Sequence, residues 1–145
     1  VVISNKSEYA LLALLELATC YPNGESLQIR EIAVLQDIPN RYLEQLLATL
    51  RRQGLIKSIR GAKGGYVLAR DPRTITVLDA FNCMEGSDVV VSTSETTSST
   101  IEDELIQEVW QEARQAANAV LQKYTLQDLC ELRATRKNKE LMYYI

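Results

Sequence analysis

Eight of the sixteen basic residues in this chain fall between positions 39 and 73: Arg41, Arg51, Arg52, Lys57, Arg60, Lys63, Arg70 and Arg73. Only Glu44 and Asp71 oppose them there, a local surplus of six positive charges. From Glu85 onward the sign reverses, with six basic and eleven acidic residues, and the net charge of the whole chain is −3. Scattered Lys and Arg ordinarily mark a solvated face. A basic island in an acidic chain, concentrated on one helix and one hairpin, is instead an electrostatic footprint aimed at a polyanion.

The elements that must position these cations run from Ile38 to Leu68. Leu43, Leu46, Leu47 and Leu50 recur at helical spacing and define one apolar face. Asn40, Arg41, Glu44, Gln45 and Arg51 are left on the other face. Gly54 stops this helix, because glycine readily takes the left-handed conformation that helix ends often need. Leu55 to Ile59 and Tyr66 to Leu68 read as two short strands, joined by the basic, glycine-rich turn Arg60-Gly61-Ala62-Lys63-Gly64-Gly65. A helix followed by such a hairpin is the DNA-facing part of a winged helix. The helix, about residues 40–53, offers polar side chains to base edges in the major groove, and the wing, 60–65, brings cations to phosphates or the minor groove.

Upstream, Ser4 to Glu8 opens a first helix, in which Asn5 and Glu8 have capping-box spacing and Leu11, Leu14, Leu15 and Ala18 form the apolar set. Tyr21-Pro22-Asn23-Gly24 is a turn, and Leu27 adds one short strand. Ile29 to Leu35 is a second helix with Ile29, Ile32, Ala33 and Leu35 inward, so that about 28–51 forms a helix-turn-helix. After the wing, Thr76 and Asp79 cap a helix carrying Val77, Ala80, Phe81 and Met84. Residues 85–100 are dominated by Ser and Thr around Val89-Val90-Val91 and read as a flexible loop. Ile101 to about Tyr124 is the longest periodic segment, its apolar stripe running through Ile101, Leu105, Val109 or Ile106, Ala113, Ala116 or Ala117, Val120 and Leu121. About 24 helical residues span about 36 Å, more than a domain of this size needs for its own core. Pairing with a second copy of itself is the expected use, rather than lying across its own domain. Thr125 with Asp128 caps a last short helix to about Leu132, followed by a basic tail and the apolar ending Leu141 to Ile145.

The predicted architecture is therefore mainly α with a small β-hairpin: a winged helix-turn-helix over 1–84, the loop 85–100, a dimerisation helix over 101–124 and a short C-terminal helix with tail over 125–145. With 46% apolar residues the chain can bury a real core. No stretch reaches the roughly 18–20 apolar residues of a membrane span, so a cytoplasmic protein without membrane contact is expected. Catalysis finds no support, since there is no histidine, no paired carboxylates in a recognisable setting and no cofactor loop. The glycines from Gly61 to Gly65 join two strands, whereas a phosphate-binding loop leads into a helix N-terminus. Cys20, Cys83 and Cys130 are odd in number and far apart, as expected of buried thiols and not of a disulfide framework.

Assembled in this order, the residues resemble the bacterial winged-helix regulators that include the iron–sulfur regulator IscR, the nitric-oxide-responsive NsrR and the cysteine-metabolism repressor CymR. The resemblance covers Ser4 to about Leu132. It rests on Glu8-Tyr9-Ala10, on Tyr42-Leu43-Glu44-Gln45, on Gly54-Leu55-Ile56 and above all on the run Ser58-Ile59-Arg60-Gly61-Ala62-Lys63-Gly64-Gly65-Tyr66-Val67-Leu68-Ala69. Met84-Glu85-Gly86, Trp110 and Thr125-Leu126-Gln127-Asp128-Leu129 follow at the expected spacing. The resemblance implies a homodimer on a roughly palindromic double-stranded operator. It places Glu44 where a carboxylate can accept from a cytosine amino group or act as a repulsive filter near phosphate. It sets Arg60 at the minor groove beside Gly61 and Gly64, and Tyr42 in a packing or phosphate-contacting role. Asn40, Arg41 and Gln45 become the positions of individual sequence preference.

This chain departs from the cluster-binding members. They carry three closely spaced cysteines before the long helix, and several use a histidine just before its tryptophan. Here Gly86 to Val109 contains no cysteine, and Gln107 stands three residues before Trp110. Clusters need thiolate or imidazole ligands, and one Cys83 from each of two subunits falls short of a four-cysteine site. No iron–sulfur cofactor is therefore expected; the resemblance implies that members without the cysteines act without a cluster, some of them through a protein co-regulator. Two alternatives stand beside the regulator: a winged helix turned to protein contact after losing DNA binding, and a thiol redox sensor at Cys83. The first leaves the basic wing without purpose. The second lacks a neighbouring base in sequence to lower the thiol pKa.

Overall fold

The computed structural model describes residues 4–86 and 100–143. The apolar patch Val89–Val91, most of the Ser/Thr-rich loop expected over 85–100, and the last two residues of the apolar ending lie outside them. Six α-helices and one hairpin follow in the order α1 (Asn5–Cys20), α2 (Ile29–Gln36), α3 (Asn40–Arg52), β1 (Ile56–Ile59), β2 (Gly65–Leu68), α4 (Val77–Glu85), α5 (Ile101–Lys123) and α6 (Leu126–Tyr143). A winged helix followed by one long helix is the architecture its residue pattern calls for.

Helix α1 is the centre of the domain. Ala10, Ala13, Leu14 and Leu17 are buried against Leu43, Leu46, Leu47 and Leu50 of α3, Ile32 of α2, Ile56 and Leu68 of the hairpin, and Ala80 and Met84 of α4. Small residues at 10 and 13 let the neighbouring helices approach closely, while the leucines supply the buried area. The inward face is thus turned from the expected one, with Leu11 and Leu15 only half-buried. The N-cap also sits one residue earlier than the spacing of Asn5 and Glu8 suggests. Ser4 takes that role, its hydroxyl accepting from the Ser7 amide. Ser4 and Ser7 both donate to the Glu85 carboxylate, Ser7 at 2.8 Å, joining the start of α1 to the end of α4. These two bonds hold the Glu85 carboxyl below the usual carboxylate range.

The helix-turn-helix follows the sequence pattern closely. In α2 the Glu31 side chain accepts from the Gln28 amide at 3.1 Å. Asp37 in the left-handed region then turns the chain into α3. A two-turn helix lying on α1 and α3 has room for a narrow inner stripe, Ile29, Ile32 and Ala33, and Leu35 is 57% exposed instead of inward. Helix α3 ends at Gln53, with Gly54 at φ +82° and Leu55 donating back to the Leu50 carbonyl at 3.1 Å. That left-handed glycine is the stop read from its position.

Strands β1 and β2 pair antiparallel with Ile56 opposite Leu68 and Ile59 opposite Gly65. Leu27 adds to the outer side of β2 by two backbone bonds with Tyr66, at 3.0 and 2.7 Å. The close approach depends on Gly65, since a Cβ there would stand 2.5 Å from the Leu27 carbonyl oxygen. Gly65→Ala is expected to lower stability by about 1–3 kcal/mol, the usual cost of forcing extra volume into a packed site. Urea denaturation checks this, and a midpoint equal to wild type would show that the Leu27 segment yields freely.

The Thr76–Asp79 and Thr125–Asp128 capping boxes both form, with reciprocal bonds of 3.0–3.1 Å. Between them, Val77 donates to the Tyr124 carbonyl and Leu126 to the Ile75 carbonyl, each at 2.9 Å, so the corner between α5 and α6 is pinned to the start of α4. Helix α6 does not stop near Leu132. It runs to Tyr143, because Arg133 to Glu140 holds no glycine or proline and consists largely of good helix formers. The polar character of that stretch reflects exposure, not lack of helix. Arg133 on α6 pairs with Glu16 on α1 at 2.7 Å, and Gln36 of α2 donates to the same Glu16 oxygen at 2.6 Å.

Candidate nucleic-acid interface

The leucines of α3 bury its inner face and so decide what the outer face shows. Leu43 to Leu50 at positions 3, 4 and 7 apart leave Asn40, Arg41, Glu44, Gln45 and Arg51 exposed together. Tyr42 lies between the faces. It is half-buried, with its ring packed edge-on against Tyr9 at a centroid distance of 5.5 Å and an interplanar angle of 83°. Packing is thus the role the geometry gives Tyr42.

Two hydrogen bonds brace the wing tip. Gly64 donates to the Gly61 carbonyl at 2.9 Å, closing the turn, and Ser26 Oγ donates to the Lys63 carbonyl at 2.7 Å. Arg60, Gly61 and Lys63 are exposed on it. Asn40 and Glu44 of α3 and Gly61 and Gly64 of the wing line one groove of about 510 Å³, which Gln28 and Arg30 complete. Lys63 borders a second, adjoining depression, with Ser26 and Gln28. Arg41, Gln45, Arg51 and Arg60 stand outside both hollows, on exposed surface.

The basic island is smaller than its residue count. Arg73 pairs with Asp71 at 2.8 Å and Arg70 with Asp79 at 3.3 Å, so both are matched within their own turn or helix start. Arg73 bonds also hold the Asp71 carboxyl down at about 2. Among the described residues, Arg41, Arg51, Arg52, Lys57, Arg60 and Lys63 have no such ion pair. The cations left for a partner are those of α3 and the hairpin. Gln28 and Arg30 escaped the sequence reading because Arg30 lies outside the 39–73 window; its proximity to the wing depends on the Leu27–Tyr66 pairing.

Ile101, Leu105, Val109 and Val120 of α5 are 56–73% exposed, Ala113 and Ala116 are exposed too, and no residue of this helix is buried. Among the described residues the stripe is thus left uncovered.

The three thiols are dispersed over α1, α4 and α6, and burial pushes each of them up. Cys83 points its sulfur at the Thr49 carbonyl at 3.9 Å. A raised thiol is mostly protonated and poorly suited to redox chemistry. Among the described residues no group of three or more His, Cys, Asp or Glu side chains could hold a metal. Residues 87–99 contain neither Cys nor His, so the donor set does not fit an iron–sulfur cluster. Nor is any described helix long and apolar enough to cross a membrane.

Comparison with known proteins decides what kind of winged helix this is. The Rrf2 family, described as an iron-dependent transcriptional regulator, matches residues 3–132. The chain belongs to the Rrf2 family. The HTH-type transcriptional regulator CymR of Bacillus subtilis is 37% identical over 143 residues, 99% of each chain. The solved structure of CymR (YrzC), the global cysteine regulator of B. subtilis, superposes with a TM-score of 0.76 at 36% identity, covering 91% of this chain and 98% of that one. T. potens IscR gives 0.75 at 35% identity, covering 90% and 87%. This Rrf2 protein is accordingly a DNA-binding transcriptional regulator by family and not an enzyme, and its winged-helix fold is shared with both neighbours.

Proposed function

We propose that this Rrf2 protein is a homodimeric, sequence-specific operator-binding regulator that sets α3 in the major groove and the wing in the adjacent minor groove. The observation that carries this reading is the juxtaposition of the polar face of α3 with a wing tip held at fixed position by Ser26 and Leu27. Asn40, Arg41, Glu44 and Gln45 read base edges, Arg60 enters the minor groove, and Arg51, Lys63 and the amides of Gly61 and Gly64 meet the backbone. Tyr42 supports the helix through Tyr9. Residues 1–84 form the DNA-binding unit, 85–100 connect it, 101–124 pair two protomers through Ile101, Leu105, Val109, Ala113, Ala116 and Val120, and within 125–145 the start of α6 docks on the first unit through Leu126 and Arg133. Two-fold pairing makes the operator palindromic, with half-sites about one helical turn or a multiple apart. The protein works in the cytoplasm without an iron–sulfur cluster held in its relatives' manner, and a protein co-regulator supplies the signal.

Selection of bound duplexes from a random DNA pool, with reduced protein and no added metal, tests this directly. Enrichment of a two-fold sequence is the expected result. Failure to enrich any sequence, alone and with cell extract added, would turn the reading toward a protein-binding winged helix. The same selection with Glu44→Ala is expected to relax discrimination at one base pair per half-site by about 1–3 kcal/mol, with a smaller change in overall affinity. An unchanged consensus would show that Glu44 reads nothing.

A further inference from the structure

A duplex that receives α3 in its major groove and the wing tip in the neighbouring minor groove must lay the sugar–phosphate strand between those grooves across the space between α3 and the wing. In this protein that space is the groove of about 510 Å³ described above. Its lining holds one anion, Glu44, and one cation, Arg30. Without that cation the one charged group a phosphate would meet in this lining is the carboxylate. Arg30 is also held by a neighbour: its Nε donates to Gln28 Oε1 at 3.0 Å, a bond that restrains the guanidinium and uses neither Nη group. Among the described residues it forms no ion pair. Gln28 is itself anchored, its amide donating to Glu31 Oε1, and it follows Leu27, whose backbone is paired with Tyr66 of the wing. Arg30 is therefore carried on the same piece of backbone as one wall of the groove.

We propose that Arg30 clamps the phosphate of the strand separating the two grooves, with Gln28 as the residue that positions it. A planar fork of paired N–H donors suits two phosphate oxygens, and the charge offsets Glu44 on the opposite wall. The proposal rests on the operator-binding reading. It adds a contact that neither the family match nor the basic window from 39 to 73 contains.

The test uses the full chain, an operator duplex from the selection above and a mixed-sequence duplex of equal length, titrated over a range of salt concentrations. Arg30→Gln is expected to weaken binding about tenfold on both duplexes and to lower the slope of log affinity against log salt by about 0.9, one phosphate contact. Arg30→Lys should restore the slope but not the full affinity, since an ammonium lacks the fork. Gln28→Ala should weaken binding less than Arg30→Gln and keep the slope. Thermal melting of each variant confirms that it is folded. Wild-type affinity and slope in a folded Arg30→Gln, while Arg60→Ala weakens binding in the same assay, would overturn the Arg30 assignment and leave the operator reading standing. If the wild-type protein binds neither duplex, both fall.

Discussion

Leu105→Lys combined with Val109→Lys is expected to sediment as a folded monomer and to lose about 10²- to 10⁴-fold in operator affinity, the range by which joining two binding units exceeds one. The two side chains are 56% and 63% exposed and belong to a helix with no fully buried residue, so the substitutions remove no contact with the buried core of the described residues. In the two-fold interface proposed above they place instead a row of like charges. Each lysine meets its own symmetry mate or a close neighbour, and the apolar area that paired the helices is lost. Circular dichroism should therefore match wild type while sedimentation does not. A dimer at micromolar concentration would move the interface elsewhere on the molecule. A monomer with undiminished affinity would remove two-fold symmetry from recognition altogether.

Arg60→Ala is expected to cost about 1–3 kcal/mol of operator binding, that is about fivefold to 150-fold. The side chain stands exposed at the wing tip, where the following glycine adds no bulk to keep the backbone from the duplex. A guanidinium inserted in a minor groove gains most where the groove is narrow and its negative potential concentrated, as in A-tracts. The loss should thus be larger on operators whose flanks are A·T-rich than on otherwise identical G·C-flanked ones, measured by fluorescence anisotropy at fixed salt. Equal affinities for the two proteins would take the wing out of recognition. Equal losses on both flanks would reduce Arg60 to a backbone contact.

Local signals carried much of this fold, and long-range ones did not. The stripe of four leucines in α3, the stop at Gly54 and the two Thr–Asp capping boxes are each settled within one or two helical turns, and each appears where its residues place it. The length of α6 is different. Near its middle Arg133 ties it to Glu16, 117 positions away in sequence, and polar composition beyond Leu132 resembles that of a tail. The charge window shows the same limit. Arg70 and Arg73 count as available cations until the fold sets Asp79 and Asp71 against them. Conversely, Arg30 appears isolated until the Leu27–Tyr66 pairing brings the start of α2 beside the wing. The polar face of α3 was readable because its apolar complement was. The groove beside it is a product of strand pairing, which no helical period encodes.

The bonds from Ser26 to the Lys63 carbonyl and between Leu27 and Tyr66 also bear on how costly binding is. A free two-stranded hairpin is marginal in water, and its tip would sample many conformations before docking. Fixing one residue's backbone costs about 1–2 kcal/mol of conformational entropy. In this protein the base and one shoulder of the wing are ordered by contacts within the chain, so that cost is met during folding and not drawn from the energy of the complex. Fewer contacts then suffice for a given affinity, and dissociation of the duplex leaves the wing already shaped for the next site.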